Sequence, residues 1–174
     1  MKPLISKNCR IRHPNKFSVG DFSVIDDFSY FSAQIRVGRH SHIASGCTIG
    51  GGKDKVFSLG DYCSISAGVR IWCSSNDFVN DLVVLKHEIS ISDKPFEGDV
   101  IIGNMCGIGS NTVIMPKNNI PEGVSIGALS FVPFNFKFEP WTVYAGIPIK
   151  KIGKRNKKRV LYQVKELESS CKGV

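Results

Sequence analysis

Ile102-Gly103-Asn104-Met105-Cys106-Gly107-Ile108-Gly109-Ser110-Asn111-Thr112-Val113-Ile114 carries an isoleucine at every sixth position, and that interval decides the fold. It continues toward the C-terminus at Ile120, Ile126 and Val132. Upstream it returns at Leu59, Ile65 and Ile71, and again at Val19, Ile25, Phe31, Val37, Ile43 and Ile49. Glycine often follows the apolar residue, as at Gly20, Gly38, Gly50, Gly60, Gly103, Gly109 and Gly127. Four residues after it, side chains are small or β-branched: Ser23, Ser29, Ser41, Cys47, Cys63, Val69, Ser75, Cys106, Thr112, Val124 and Ser130. An amphipathic helix would repeat at three and four residues, and a half-exposed strand at two. Period six with glycine in fixed phase fits a coil with three short flat sides, each hexapeptide supplying one side and one corner. The apolar residue points inward, the small one fills the space beneath it, and glycine or asparagine eases the corner. Stacked coils pair their strands in parallel and bury one continuous core.

This pattern resembles the hexapeptide-repeat acyltransferases over roughly residues 17–152. Trp141-Thr142-Val143-Tyr144-Ala145-Gly146-Ile147-Pro148-Ile149-Lys150-Lys151-Ile152 is similar to the closing section of their sugar O- and N-acetyltransferase branch, as is Ile126-Gly127-Ala128-Leu129-Ser130-Phe131-Val132. The resemblance implies an all-β, left-handed parallel β-helix over residues 1–152. It also implies an acetyl-CoA donor and a homotrimer whose active sites lie between subunits. Residues 153–174 then form a basic tail. There Val160, Leu161, Val164 and Leu167 recur at helical spacing, predicting a short helix that covers the last coil.

Composition narrows the function. The chain has 174 residues and a formal charge of +8, with Lys150, Lys151, Lys154, Arg155, Lys157, Lys158 and Arg159 crowded together. Such a run is a solvated face or a footprint for phosphates. No aromatic interleaving or recognition motif accompanies it, which points away from nucleic acid and toward a phosphorylated small molecule. No stretch is apolar enough to span a membrane, and Met1–Lys7 lacks a signal-peptide core, so a cytoplasmic protein is expected. The six cysteines (Cys9, Cys47, Cys63, Cys73, Cys106 and Cys171) form no C-x-x-C pair, so no metal is expected. Cys47, Cys63 and Cys106 stand in the small column and read as packing residues.

Breaks in a solenoid map to loops, and loops carry sites. At Gly50-Gly51-Gly52 the interval lengthens from six to ten, and about residues 73–99 form a longer excursion. The excursion contains Asn76-Asp77-Phe78, the apolar Leu82-Val83-Val84-Leu85 and Lys86-His87-Glu88. Gly50-Gly51-Gly52-Lys53 lacks the spacing of a phosphate-binding loop. Acyl transfer from a thioester needs a base near the acceptor's proton, and histidine suits that task. His13 precedes the repeat and reads as surface. His40 and His42 flank the inward Ser41 and so project outward. Where many sugar acetyltransferases carry their histidine, this chain has Asn76-Asp77. His42-Ile43-Ala44, the glycine run and Asp77-Phe78 resemble a subset of the family. That subset's pattern implies His42 as base, with Asp77 orienting it or the acceptor. His40 and His87 are the alternative bases, and Asn76, Gly51 and Gly52 are expected to contact the acceptor. No nucleophile is needed when the acceptor attacks the thioester directly, which leaves Cys73 without a role in the chemistry.

For the donor, the resemblance implies contact by Gly109, Ser110, Gly127, Ala128 and Ser130, with Lys151 and Arg155 on the nucleotide phosphates. The expected activity is acetyl transfer to a hydroxyl or amine of a sugar or nucleotide-sugar, in surface-polysaccharide (O-antigen or capsule) assembly. Two alternatives are transfer to an antibiotic or amino acid, and a non-catalytic or metal-binding β-helix assembly module.

Overall fold

The computed structural model describes residues 1–82 and 94–171. Short strands wind through three sides in turn. The first side has eight strands from Leu4–Ile5 to Lys150–Lys154, the second six from Arg10–Ile11 to Phe131–Val132, and the third five from Phe17–Val19 to Asn118–Ile120. An uninterrupted coil takes 18 residues, so Val24 pairs with His42, and Ser125 with Val143. Within the three sides the ladders are parallel except at the C-terminal end of the first, where Lys150–Lys154 runs antiparallel to Thr142–Ala145.

The period-six residues form the core as expected. From Ile25 to Val132 they are all buried, and Val19 in the first coil is partly buried. Burying an isoleucine or leucine completely contributes about 1.5–3 kcal/mol, and the stack repeats that gain at every side.

The small column does more than fill space. At the corner between the third and first sides, the Ser41 amide donates to Ser23 Oγ (2.9 Å) and the Cys63 amide to Ser41 Oγ (3.0 Å). The Cys106 amide points at Cys63 Sγ (3.3 Å). An inward-turned corner amide must be paired, and a short side chain with a polar atom in the preceding coil supplies the partner. Cys63 and Cys106 are buried links in this ladder.

Glycine or asparagine eases some corners as expected, at Gly46, Gly68, Gly123, Asn111 and Asn135, all with positive φ, but not most of them. The left-handed corner residue lies three positions after the apolar one, and it is often large: Phe22, Phe28, His40, Tyr62, Met105 and Leu129 all have positive φ. The glycine directly after the apolar residue answers to stacking. A Cβ on Gly38 would lie 2.6 Å from the Gly60 carbonyl carbon, and one on Gly60 2.7 Å from that of Gly103. Backbone of successive coils touches there, and no side chain fits between.

The C-terminal helix, Lys157–Cys171, forms where helical spacing predicted it. It does not cover the last coil, however. From Arg155, bonded to the Met105 and Gly123 carbonyls, the chain runs back along the stack to Tyr62, whose hydroxyl donates to Glu168 (2.7 Å). The last coil is closed by Phe136, Phe138 and Tyr144, packed edge to face, and by the antiparallel Lys150–Lys154 strand. Aromatic bulk near the open end does what the helix was expected to do.

Candidate active site

The excursion leaves the coil after Trp72, at the corner between the second and third sides. Its neck is a two-stranded antiparallel ribbon, Ser74–Ser75 with Phe96–Glu97. Glu97 accepts from Ser74 Oγ (3.2 Å) and pairs with Lys55 Nζ (2.7 Å). The Lys55 ammonium holds the Glu97 carboxyl below its ordinary range. Beyond the neck, Asp77 organises its own turn. It accepts from Asn80 Nδ2 (2.7 Å) and from the amides of Val79 (2.9 Å) and Asn80 (3.2 Å). These bonds, that of the Asn80 side chain foremost, favour the carboxylate and lower its pKa, so Asp77 is an anion at neutral pH. Trp72, Asn76, Asp77, Phe78, Phe96 and Met115 help to line a cleft of about 800 Å³ here. Aromatic walls around one carboxylate suit a ligand with a flat face and a cationic or hydrogen-bonding group.

Gly51 and Gly52 lie one coil below, at the root of the excursion, outside the described lining of that cleft. A Cβ on Gly51 would sit 2.6 Å from Cys73 Cβ, so this glycine lets the excursion leave against the coil. Cys73 is buried, and desolvation pushes its thiol up to about 12, which leaves it unreactive.

The two histidines of the coil have different surroundings. His42 Nε2 lies 2.8 Å from Asp26 Oδ2 on the first side, both side chains being nearly half exposed. The carboxylate beside His42 is therefore Asp26. Asp77 belongs to the excursion, and within one chain the pairing of His42 with Asp77 is not made. His40 is held between Phe22 (4.6 Å between ring centroids) and Tyr62 (5.2 Å), one ring per coil. Burial and the bond to Glu168 push the Tyr62 phenol up to about 12, so it stays a donor. His40, His42 and Ser64 face Val160, Val164 and Leu167 of the helix across a groove of about 400 Å³. His87 lies outside the described residues.

Five of the residues expected to hold the donor, Gly109, Ser110, Gly127, Ala128 and Ser130, gather at a third place, the corner between the first and second sides, whereas Arg155 borders the groove of His40 and His42. A Cβ on Gly109 would lie 2.3 Å from the Ala128 nitrogen, and one on Gly127 2.9 Å from Ala145 Cβ. Coil stacking alone demands these glycines. Ser130 is buried, donating to the Gly127 carbonyl (2.7 Å) and accepting from the Gly146 amide (3.1 Å), so its hydroxyl faces inward. Ser110 and Ala128 remain accessible on that corner. Lys151 is paired with Glu139 (2.7 Å), and the Arg155 guanidinium donates to two main-chain carbonyls. Both cations expected on phosphates thus already have protein partners. No helix among the described residues is long and apolar enough to cross a membrane.

No family model matches the chain. It is 36% identical over 165 residues to a dTDP-4-amino-4,6-dideoxy-D-glucose acyltransferase of Escherichia coli, covering 91% of this chain and 79% of that protein. The chain belongs to the hexapeptide-repeat acyltransferases. It is an acyl-CoA-dependent enzyme of their sugar acetyltransferase branch. AntD, an N-acyltransferase from Bacillus cereus solved with dTDP and 3-hydroxybutyryl-CoA, superposes with a TM-score of 0.87 at 30% identity, over 97% of this chain and 88% of AntD. A probable macrolide acetyltransferase of Lysinibacillus sphaericus is 34% identical over 108 residues, 56% of this chain and 59% of that protein.

In this acyltransferase, three neighbours of the candidate residues escaped the sequence reading. Asp26 stands 16 positions before His42, two short of a full coil, and that offset could have found it. Trp72 ends a strand one position after the buried Ile71, so its side chain turns outward at the mouth of the excursion. Phe96 had no signal, because its place depends on how the excursion folds back.

Proposed function

We propose that this acyltransferase moves an acyl group from acyl-CoA to the amino group of a dTDP-linked 4-amino sugar. The observation that carries the reading is the excursion cleft, which joins Trp72 and Phe96 to the ionised Asp77. The aromatic walls suit a nucleobase, and the carboxylate suits a sugar amine. The relatives support this choice of acceptor: the Escherichia coli protein is an acyltransferase of a dTDP-4-amino sugar, and AntD has been solved with dTDP-4-amino-4,6-dideoxyglucose and coenzyme A. In the reaction the amine nitrogen bonds to the thioester carbon, the carbon–sulfur bond breaks, and coenzyme A leaves as its thiol. The nitrogen loses a proton on the way, and we assign that proton to His42, oriented by Asp26. His42 and the cleft lie at separate places on one chain, so the assignment requires a homotrimer in which one subunit's first side meets its neighbour's excursion. An acylated nucleotide-sugar is a substrate for glycosyl transfer, which fits surface-polysaccharide assembly in the cytoplasm.

The test is thiol release from acetyl-CoA and 3-hydroxybutyryl-CoA with a dTDP-4-amino sugar, its 4-hydroxy counterpart, chloramphenicol, a macrolide and serine. Turnover is expected with the amino sugar, falling about tenfold to a hundredfold in Asp77→Ala, the cost of a hydrogen bond to a charged group. Turnover with chloramphenicol or a macrolide, and none with the nucleotide-sugar, would overturn the proposal.

A further inference from the structure

The register of the second side puts one column of outward positions at the mouth of the cleft. Thr48 pairs with Arg70 and Arg70 with Val113, while Gly50 pairs directly with Trp72. Met115 follows in the next coil. Parallel strands are about 4.8 Å apart, too close for an indole unless one neighbour gives up its side chain. Gly50 does so. It is buried, and a Cβ there would lie 2.8 Å and 2.9 Å from the Cζ3 and Cε3 atoms of Trp72. The six-membered ring of the indole therefore rests on the Gly50 backbone, while the side chain still borders the cleft. The other wall is also braced. Phe96 is fixed by its ladder with Ser75 and packs on Phe134 at 5.3 Å, with Lys117 5.7 Å from the Phe134 ring. By contrast, Phe78 is 75% exposed on the turn that Asp77 shapes.

Stacking rewards a platform that does not move, because an immobile ring loses no rotamer freedom when a base lands on it. We infer that Trp72 is the platform on which the nucleobase of the acceptor stacks, and that Gly50 is the positioning residue that seats it. The inference rests on the nucleotide-sugar reading and adds which residue holds the base. It also gives Gly50 a role apart from the corner. Gly38 and Gly60 are small because backbone touches backbone, whereas Gly50 is small because a ring lies on it.

The chain has two tryptophans, and the second, Trp141, sits against Gly123 and under Lys157 (5.2 Å), far from the excursion in the coil order. Titration of the purified protein with dTDP should quench tryptophan fluorescence, and Trp141→Phe should keep that quench. By calorimetry, Trp72→Ala should weaken dTDP by about tenfold to a hundredfold, the worth of one stacked base. Trp72→Phe should recover most of the affinity, and Gly50→Ala should weaken dTDP about as much as Trp72→Ala. Coenzyme A titrations should be unchanged in all of them, which separates loss of a platform from loss of folding. If Trp72→Ala binds dTDP as tightly as the wild type, the platform is wrong while the nucleotide-sugar reading stands. If the wild type binds no dTDP at all, both fall.

Discussion

The coils and the excursion solve opposite problems with the same chain. In the coils the inward positions are fixed by the core, so Ile43, Ile65, Ile108 and Ile126 repeat along the first side with no variation in role. In the excursion the order comes from polar groups used once each: Asp77 on Asn80, and Glu97 on Ser74 and Lys55. A repeated apolar position stabilises by area removed from water and carries no information about a ligand. A polar turn holds one geometry, which is what recognition of a single acceptor requires. The division is not absolute, since Trp72 and Gly50 belong to coil strands at the root of the excursion. His42 is proposed for chemistry, yet it stands on the regular first side.

The largest effect tests that exception. His42→Ala is expected to lower kcat by roughly 10²–10⁴-fold, the usual contribution of a positioned general base, with the melting temperature and dTDP affinity unchanged. Asp26→Asn should lower kcat less, by about tenfold, because the imidazole loses its orienting partner and not its nitrogen. Steady-state kinetics with a dTDP-4-amino sugar measures both. Full activity in His42→Ala would return the first side to a purely structural part and confine the chemistry to the excursion.

The next effect sharpens the comparison from the other side. Ile65→Ala, at a fully buried position in mid-stack, should cost about 2–5 kcal/mol of stability, read from the urea midpoint. Phe78→Ala, 75% exposed in the excursion, should shift that midpoint by less than about 0.5 kcal/mol. A comparable loss at Phe78 would mean that the excursion is packed into the core after all.

How much of this was legible follows from the same division. The interval from Ile102 to Ile114 was enough for the coil, because a solenoid makes each residue's surroundings depend on its neighbours one coil away, at a fixed offset. Cys63 and Cys106 could be read as packing residues on that ground. The glycines could not be explained, since stacking contact and corner strain leave the same letter in the sequence. The path of the helix back to Tyr62 was illegible too, as helical spacing reports a face and not its partner. For the site, Asn76 and Asp77 follow from the position of the break in the repeat, and both line the excursion cleft. Asp77 was paired with His42 on sequence, but no fixed offset links an excursion to the coil. Within one chain His42 pairs with Asp26 instead.

The smallest effect is a dependence on acidity. Asp77 and Glu97 both have carboxyls held below the ordinary range, Asp77 chiefly by the Asn80 side chain and Glu97 chiefly by Lys55. A depressed carboxyl lends its stabilisation at pH values above its ordinary range, and loses it as pH falls through the depressed value. Both groups lie in the excursion, and the interior of the coils described above is held by apolar residues and uncharged hydrogen bonds, which have no such dependence. Acidification below about pH 4 should therefore loosen the neck and the Asp77 turn before the coils unfold. Amide exchange would show this as protection lost at Val79 and Asn80 while Ile65 and Ile108 keep theirs. The dTDP quench of Trp72 should persist into the early part of that range, because the platform stands on Gly50 and not on the turn. If exchange rose in both regions together, the excursion would be one cooperative unit with the stack, and its polar anchors would be supporting the coils as well as the site.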